Sequence, residues 1–210
     1  MAFQLQYKDD SPDIIADRAR MGTEVRESFF DLYSEDLKEA SKVLALAFAG
    51  ERRVFLCGTG SCYAVAALLQ GRFINPPQAA RGPLPAALLS ARPMGNPDPL
   101  AEAVGGDGDV LVLFTPDGNG SSLVEAARTA REQGMFTLGV SGGDGGRLAD
   151  GDLLDIELRV PSIEESLVLE MQTAIACLLS EVTDYYLYTK PEILKEILDR
   201  GVSGPQDENA

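Results

Sequence analysis

A glycine-rich turn, Gly58-Thr59-Gly60-Ser61, follows the apolar run Val54-Phe55-Leu56-Cys57 and precedes a second apolar stretch, Val65 to Leu69. A buried strand, a tight turn and a helix start in that order present free backbone N–H groups to an anion. A second unit repeats the arrangement: Asp109 to Phe114 runs into Thr115-Pro116-Asp117-Gly118-Asn119-Gly120-Ser121-Ser122 and then a helix. The two loops carry the hydroxyls of Thr59, Ser61, Thr115, Ser121 and Ser122, which suit an oxyanion or a carbohydrate. One absence restricts the chemistry beyond binding: the chain has no histidine. Proton transfer then falls to carboxylates, and Glu164, Glu165 and Glu170 cluster near the start of a long helix. First-turn carboxylates also complement the helix dipole, which leaves Glu170 as the one candidate acid or base. Cys57, Cys62 and Cys177 have no zinc-like spacing and read as reduced thiols of a cytoplasmic protein. No metal site and no cofactor are expected.

The elements that hold these residues alternate. The pattern predicts strand 53–57, helix 61–73, strand 84–89, a short helix near 98–105, strand 109–114, helix 121–133, strand 136–140 and strand 154–159. Strands and helices in alternation build a parallel sheet with a ligand crevice at its carboxyl edge. Ahead of the first strand, Phe30, Tyr33, Leu37, Ala40, Leu44 and Ala47 line one face of a helix that Gly50 is placed to end, while residues 1–20 are polar and unperiodic. Phe29, Leu32, Val43 and Leu46 widen that stripe, as if it met both the domain and a second subunit. After Pro161, Ser162 and Glu165 read as a capping box for the long helix, with Leu167, Met171, Ala174 and Leu178 as its core stripe. Pro191 interrupts that helix, Glu192 to Leu198 form one more, and 201–210 read as a frayed tail. Tyr185, Tyr186 and Tyr188 fit a subunit interface.

At 210 residues the chain suits one domain with a substantial core. Its net charge of −15 argues against direct nucleic-acid binding, which needs a basic face. No apolar run approaches the ~18 residues of a membrane span, and the amino terminus lacks a signal-peptide pattern. A dinucleotide site fails on detail: the third glycine of that fingerprint would fall at Tyr63, and no acidic residue ends the strand Leu84 to Leu89.

Gly58-Thr59-Gly60-Ser61, Gly71-Arg72-Phe73, Gly108 to Leu111, Gly118-Asn119, Ala126-Ala127-Arg128 and Gly134-Met135 occur in the order found in SIS (sugar isomerase) domains. Ser141 to Gly146, Leu148-Ala149-Asp150 and Ile156 to Ser162 extend the match. Over residues 25–190 the chain resembles the phosphoheptose isomerase branch, which includes the non-catalytic proteins that associate with the bacterial replication initiator. Residues 1–24 then form an amino-terminal extension, and 191–210 a short helix and tail. The resemblance implies a flavodoxin-like three-layer αβα sandwich with a central parallel sheet, assembled as a homotetramer through its terminal helices. It also implies a sugar or sugar-phosphate ligand held by two loops. The ligand-binding candidates are Gly58, Thr59, Gly60, Ser61, Thr115, Asp117, Asn119, Ser121 and Ser122.

The departures from the family lie where the chemistry is. Anchored on Gly71-Arg72-Phe73, the family's helix histidine falls at Ala64 and its catalytic glutamate at Leu68. Anchored on Glu170, its glutamine ligand falls at Leu169 and its second histidine at Cys177. A lone thiol does not replace four zinc ligands, and enediol isomerisation needs both a base and an acid. In the loop that resembles the family's phosphate loop, Pro116 removes an N–H donor and Asp117 places a charge where a phosphate would rest. An uncharged or amine-bearing ligand suits Asp117 better, unless Asp117 and Ser121 only satisfy the loop and cap the next helix. Three readings follow: a catalytically degenerate carbohydrate-derivative-binding or assembly module, a divergent sedoheptulose 7-phosphate-type aldose–ketose isomerase using Glu170, and a protein-interaction module.

Overall fold

The computed structural model describes residues 10–76, 81–89 and 105–202. In chain order they form α1 (Ser11–Ala49), β1 (Val54–Gly58), α2 (Cys62–Ile74), β2 (Ala86–Leu88), β3 (Val110–Phe114), α3 (Ser121–Glu132), β4 (Phe136–Gly142), α4 (Gly146–Ala149), β5 (Ile156–Val160), α5 (Glu165–Asp184), a π-helical turn (Tyr185–Thr189) and α6 (Pro191–Val202). The short helix expected near 98–105 lies, but for its last residue, outside the described residues.

All five strands are parallel, in the order β2-β1-β3-β4-β5. Every residue of β1 and β3 is buried, because helices cover both sheet faces. The pleat divides the strands between two cores. Leu56, Val112, Phe114, Val140 and Leu158 face α1, α2 and α5, while Phe55, Cys57, Leu111 and Leu113 face α3 and α4. The result is a three-layer αβα sandwich. Chain order reverses between β1 and β3, so their carboxyl ends flank the crevice that such sheets use for ligands.

Several local readings change. The first helix begins at Ser11, not after residue 20. Its polar first turns are held by side-chain pairs, Arg20 with Asp17 and Glu24, and by Arg18 reaching across to Glu164 and Glu170. At its other end Gly50 is the C-cap, but the left-handed residue is Glu51, at φ 58°. The Glu51 N–H donates to Phe48 O and the Arg52 N–H to Ala47 O, which closes a Schellman turn one residue past the glycine.

No capping box opens α5. Its N-cap is Glu164, without a side-chain cap; Ser162 Oγ accepts the Glu164 N–H, and the Glu165 carboxylate turns to Ser61. Leu167 and Met171 are buried as expected, but the stripe continues through Gln172, Ile175, Ala176 and Leu179, with Ala174 and Leu178 only half-buried. By length and composition the stretch Glu165–Thr189 is apolar enough to cross a bilayer. In this fold it is a core helix packed between α1 and α2. Pro191 starts α6 at a first-turn position, where its missing N–H costs nothing, and that helix outruns the expected one to reach Val202.

Candidate functional site

The glycine turn after β1 and the loop after β3 meet at the carboxyl edge. The Thr59 N–H donates to Phe114 O, and a Cβ on Gly120 would lie 3.5 Å from Thr59 Cγ2. Gly58 has no room for a side chain: a Cβ there would come within 2.5 Å of Cys62 O. This tightness presses the start of α2 against the strand end. Gly60, at φ 54°, is exposed, with open space around it.

The second loop is braced by its own atoms. Thr115 is fully buried, and its Oγ1 accepts the Gly118 N–H at 3.1 Å. The Asp117 carboxylate accepts the Asn119 N–H at 3.0 Å, and Asn119 Nδ2 donates to Asp117 O. Asn119 Oδ1 in turn accepts the Arg147 N–H, and the Leu148 N–H donates to Gly118 O, which tie the loop to α4. Asp117 thus caps its own loop, not α3. That helix has Gly120 as its N-cap, without a side-chain cap, and Ser121 and Ser122 stand partly or fully exposed at its start.

The third wall comes from α5. Ser61 Oγ donates to Glu165 Oε1 at 3.0 Å, joining the glycine turn to a carboxylate 104 positions away. Neither Glu165 nor Asp117 has a basic partner among the described residues. Both act on one thiol: burial first, then Glu165 and Asp117, push Cys62 up to about 12. Cys62 is therefore inert as a nucleophile. Glu165, read from sequence as a capping and helix-dipole residue, belongs to the crevice. The bond that places it there joins two distant elements and leaves no local pattern.

Gln172 fixes this edge from beneath. It is fully buried, and its Nε2 donates to Thr115 O at 2.8 Å and Val140 O at 3.1 Å, locking α5 to the ends of β3 and β4. Val140 O keeps the Thr115 N–H when the amide is removed, whereas Thr115 O loses its donor. Gln172→Leu should therefore cost about 1–2 kcal/mol by urea unfolding, the order expected for one orphaned buried acceptor. An unchanged midpoint would remove Gln172 from the support of the loop.

Glu170 stands apart from the loops. Its carboxylate pairs with Arg18 at 3.4 Å, and a Cβ on Gly22 would lie 3.0 Å from its Oε1, so it faces α1. Ala64 and Leu68 are exposed on α2, and Leu169 and Cys177 are half-buried on α5. None but Cys177 can ligate a metal, and no group of three or more Cys, Asp or Glu among the described residues is arranged to hold one. The residues present do not fit zinc.

Near the crevice's outer loop, Glu157 sits 3.6 Å from Arg159, with its Oε1 buried and unpaired. Burial chiefly, and Asp144 in part, raise its pKa, against the pull of Arg159. A carboxyl raised on folding binds its proton more tightly in the native state, so its penalty is absent at low pH and grows as pH rises through the raised value. Glu157→Gln should accordingly be more stable than wild type at pH 7, with the difference closing toward about pH 4. Parallel denaturation curves across that range check the sign; a gap that widened on acidification would refute it.

Residues 19–142 match the family model described as SIS domain. The phosphoheptose isomerase of Nitratidesulfovibrio vulgaris strain Hildenborough is 31% identical over 192 residues, covering 86% of this chain and 91% of that protein. That of Desulfovibrio desulfuricans is 33% identical over 192 residues, covering 86% and 90%. Among solved structures, a phosphoheptose isomerase from Francisella tularensis superposes with a TM-score of 0.74 at 23% identity, covering 83% of this chain and 98% of that one. The Vibrio vulnificus NanR protein complexed with ManNAc-6P superposes at 0.66 and 13% identity, covering 92% and 71%, which is likeness of fold alone.

Proposed function

The chain belongs to the SIS domain family, and from that premise we propose that it is a member without isomerase chemistry, a carbohydrate-derivative-binding module that works as an assembly. One observation carries this reading. Both loops of the crevice are built, while the positions that resemble the family's acid, base and metal ligands hold Ala64, Leu68, Leu169 and Cys177, in a chain without histidine. The relatives are phosphoheptose isomerases, whose name supports a sugar or sugar phosphate as the ligand class.

Self-association is part of the proposal. Ile14, Ile15 and Leu32 on α1 are 64–69% exposed, and Ile163 beside the crevice is 95% exposed. Apolar side chains this open on α1 and in the turn ahead of α5, the helix that packs on α1, favour further copies of the chain, or a protein partner, over solvent. A cytoplasmic location goes with this reading.

The test is a thermal-shift screen of purified protein against sugar phosphates, free sugars and amino sugars, with and without zinc. A ligand at about a hundred times its dissociation constant stabilises the native state by roughly 2.7 kcal/mol. The expected result is a shift with at least one sugar compound that zinc does not alter. No shift with any of them would leave the protein-interaction reading in its place.

A further inference from the structure

Each loop spends one donor that an anion could use on one of the protein's own carboxylates. In a phosphate-holding loop, backbone N–H groups and hydroxyls point at the ligand. Here Pro116 has no N–H to offer, the Gly118 N–H goes to Thr115 Oγ1, and the Asn119 N–H goes to the Asp117 carboxylate. Across the crevice the Ser61 hydroxyl, which would donate to an incoming oxyanion, donates instead to Glu165 Oε1. Two carboxylates with no basic partner among the described residues thus occupy donors on opposite walls.

We infer that Asp117 and Glu165 are specificity-determining residues that fill the crevice's anion positions from within, so that it takes a non-phosphorylated carbohydrate and rejects a phosphorylated one. The inference rests on the proposed role of this crevice as the ligand site. A phosphoryl group entering it must displace a carboxylate from its donor and then sit beside that charge. Like charges a few ångströms apart in a partly solvated site repel enough to cost a factor of ten or more in affinity. A neutral hydroxyl meets no such repulsion and can accept hydrogen bonds from Ser121 and Ser122, whose side chains have no partner among the described residues. Asp117→Asn and Glu165→Gln remove the charges and keep the shapes.

The experiment measures inorganic phosphate and sedoheptulose 7-phosphate binding by calorimetry, for wild type, each single variant and Asp117→Asn/Glu165→Gln, beside the sugar screen above. The double variant should bind inorganic phosphate at least about tenfold tighter than wild type. Adding Ser61→Ala should take back part of that gain, and 1 M salt should shrink it. Both substitutions are at exposed positions; if the double variant does not fold, each single variant carries the test, with about a threefold gain expected. Wild type binding phosphate within threefold of the variant would overturn the inference and leave the crevice as a ligand site. Phosphate refused by both, while wild type binds a free sugar, would also overturn it, since something other than charge excludes phosphate. No binding of any probe to either protein would overturn the inference and the ligand-site reading together.

Discussion

Sedoheptulose 7-phosphate incubated with this protein should show no aldose–ketose exchange above the uncatalysed rate, with or without added zinc. Exchange through an enediol requires one group to take a proton from carbon and another to protonate or polarise the carbonyl oxygen. Each such group accelerates a reaction by roughly 10²–10⁴-fold, so losing both removes about four to eight orders of magnitude. Ala64, Leu68 and Leu169 offer neither function, and Cys177 is a lone half-buried thiol on α5. The crevice's own carboxylates are engaged, Glu165 by Ser61 and Asp117 by Asn119. Glu170 faces Arg18 and Gly22 on α1. Proton exchange at the sugar's first two carbons, followed by NMR in deuterated water, reads this directly. Turnover that Glu170→Gln abolishes would install the divergent isomerase in place of the binding module.

How much of this was legible in the sequence depends on whether a feature is local. β1 and β3 stand out because four consecutive apolar residues in one and five in the other, buried on both faces, leave an unbroken run. Their following loops stand out because glycine and hydroxyl residues punctuate the chain there. The start of α1 leaves no apolar pattern: Ile14 and Ile15 have no core beneath them, and the turn is held by ion pairs whose long reach no periodicity records. Ser162 has the right type and spacing for a cap, but Gly143 takes the Ser162 carbonyl and the chain turns again before α5 begins. Glu165 is the same failure seen from the site. Its partner Ser61 is adjacent only once α5 has packed against α2. Gln172 was hidden for the opposite reason, since a polar residue inside an apolar stripe reads as an exception until the carbonyls it serves are known.

Gly118→Ala should be among the most damaging single substitutions in the molecule, costing about 4 kcal/mol or more and lowering the melting temperature by roughly 10 °C. Gly118 has φ 72°, where a side chain alone costs about 1–2 kcal/mol. The larger part is steric. A Cβ there would overlap the Gly145 carbonyl, 1.7 Å from its oxygen and 2.4 Å from its carbon. Both are backbone atoms, so no rotamer change relieves the contact. Retreat is blocked from the other side as well, because Gly146 already lies so close to Asp117 O that a Cβ on it would come within 2.4 Å. The Leu148 N–H, bonded to Gly118 O, fixes the same approach. Relief therefore requires the loop carrying Asp117 and Asn119 to part from α4, which also opens one wall of the crevice. Gly60→Ala is the matched control: φ is 54°, but nothing lies within 4 Å of a Cβ there, so only the conformational cost of about 1–2 kcal/mol applies. Denaturant unfolding of the two variants side by side separates the contributions. Equal losses would mean that the two loops yield to each other, and that their interlock does not hold the crevice's shape.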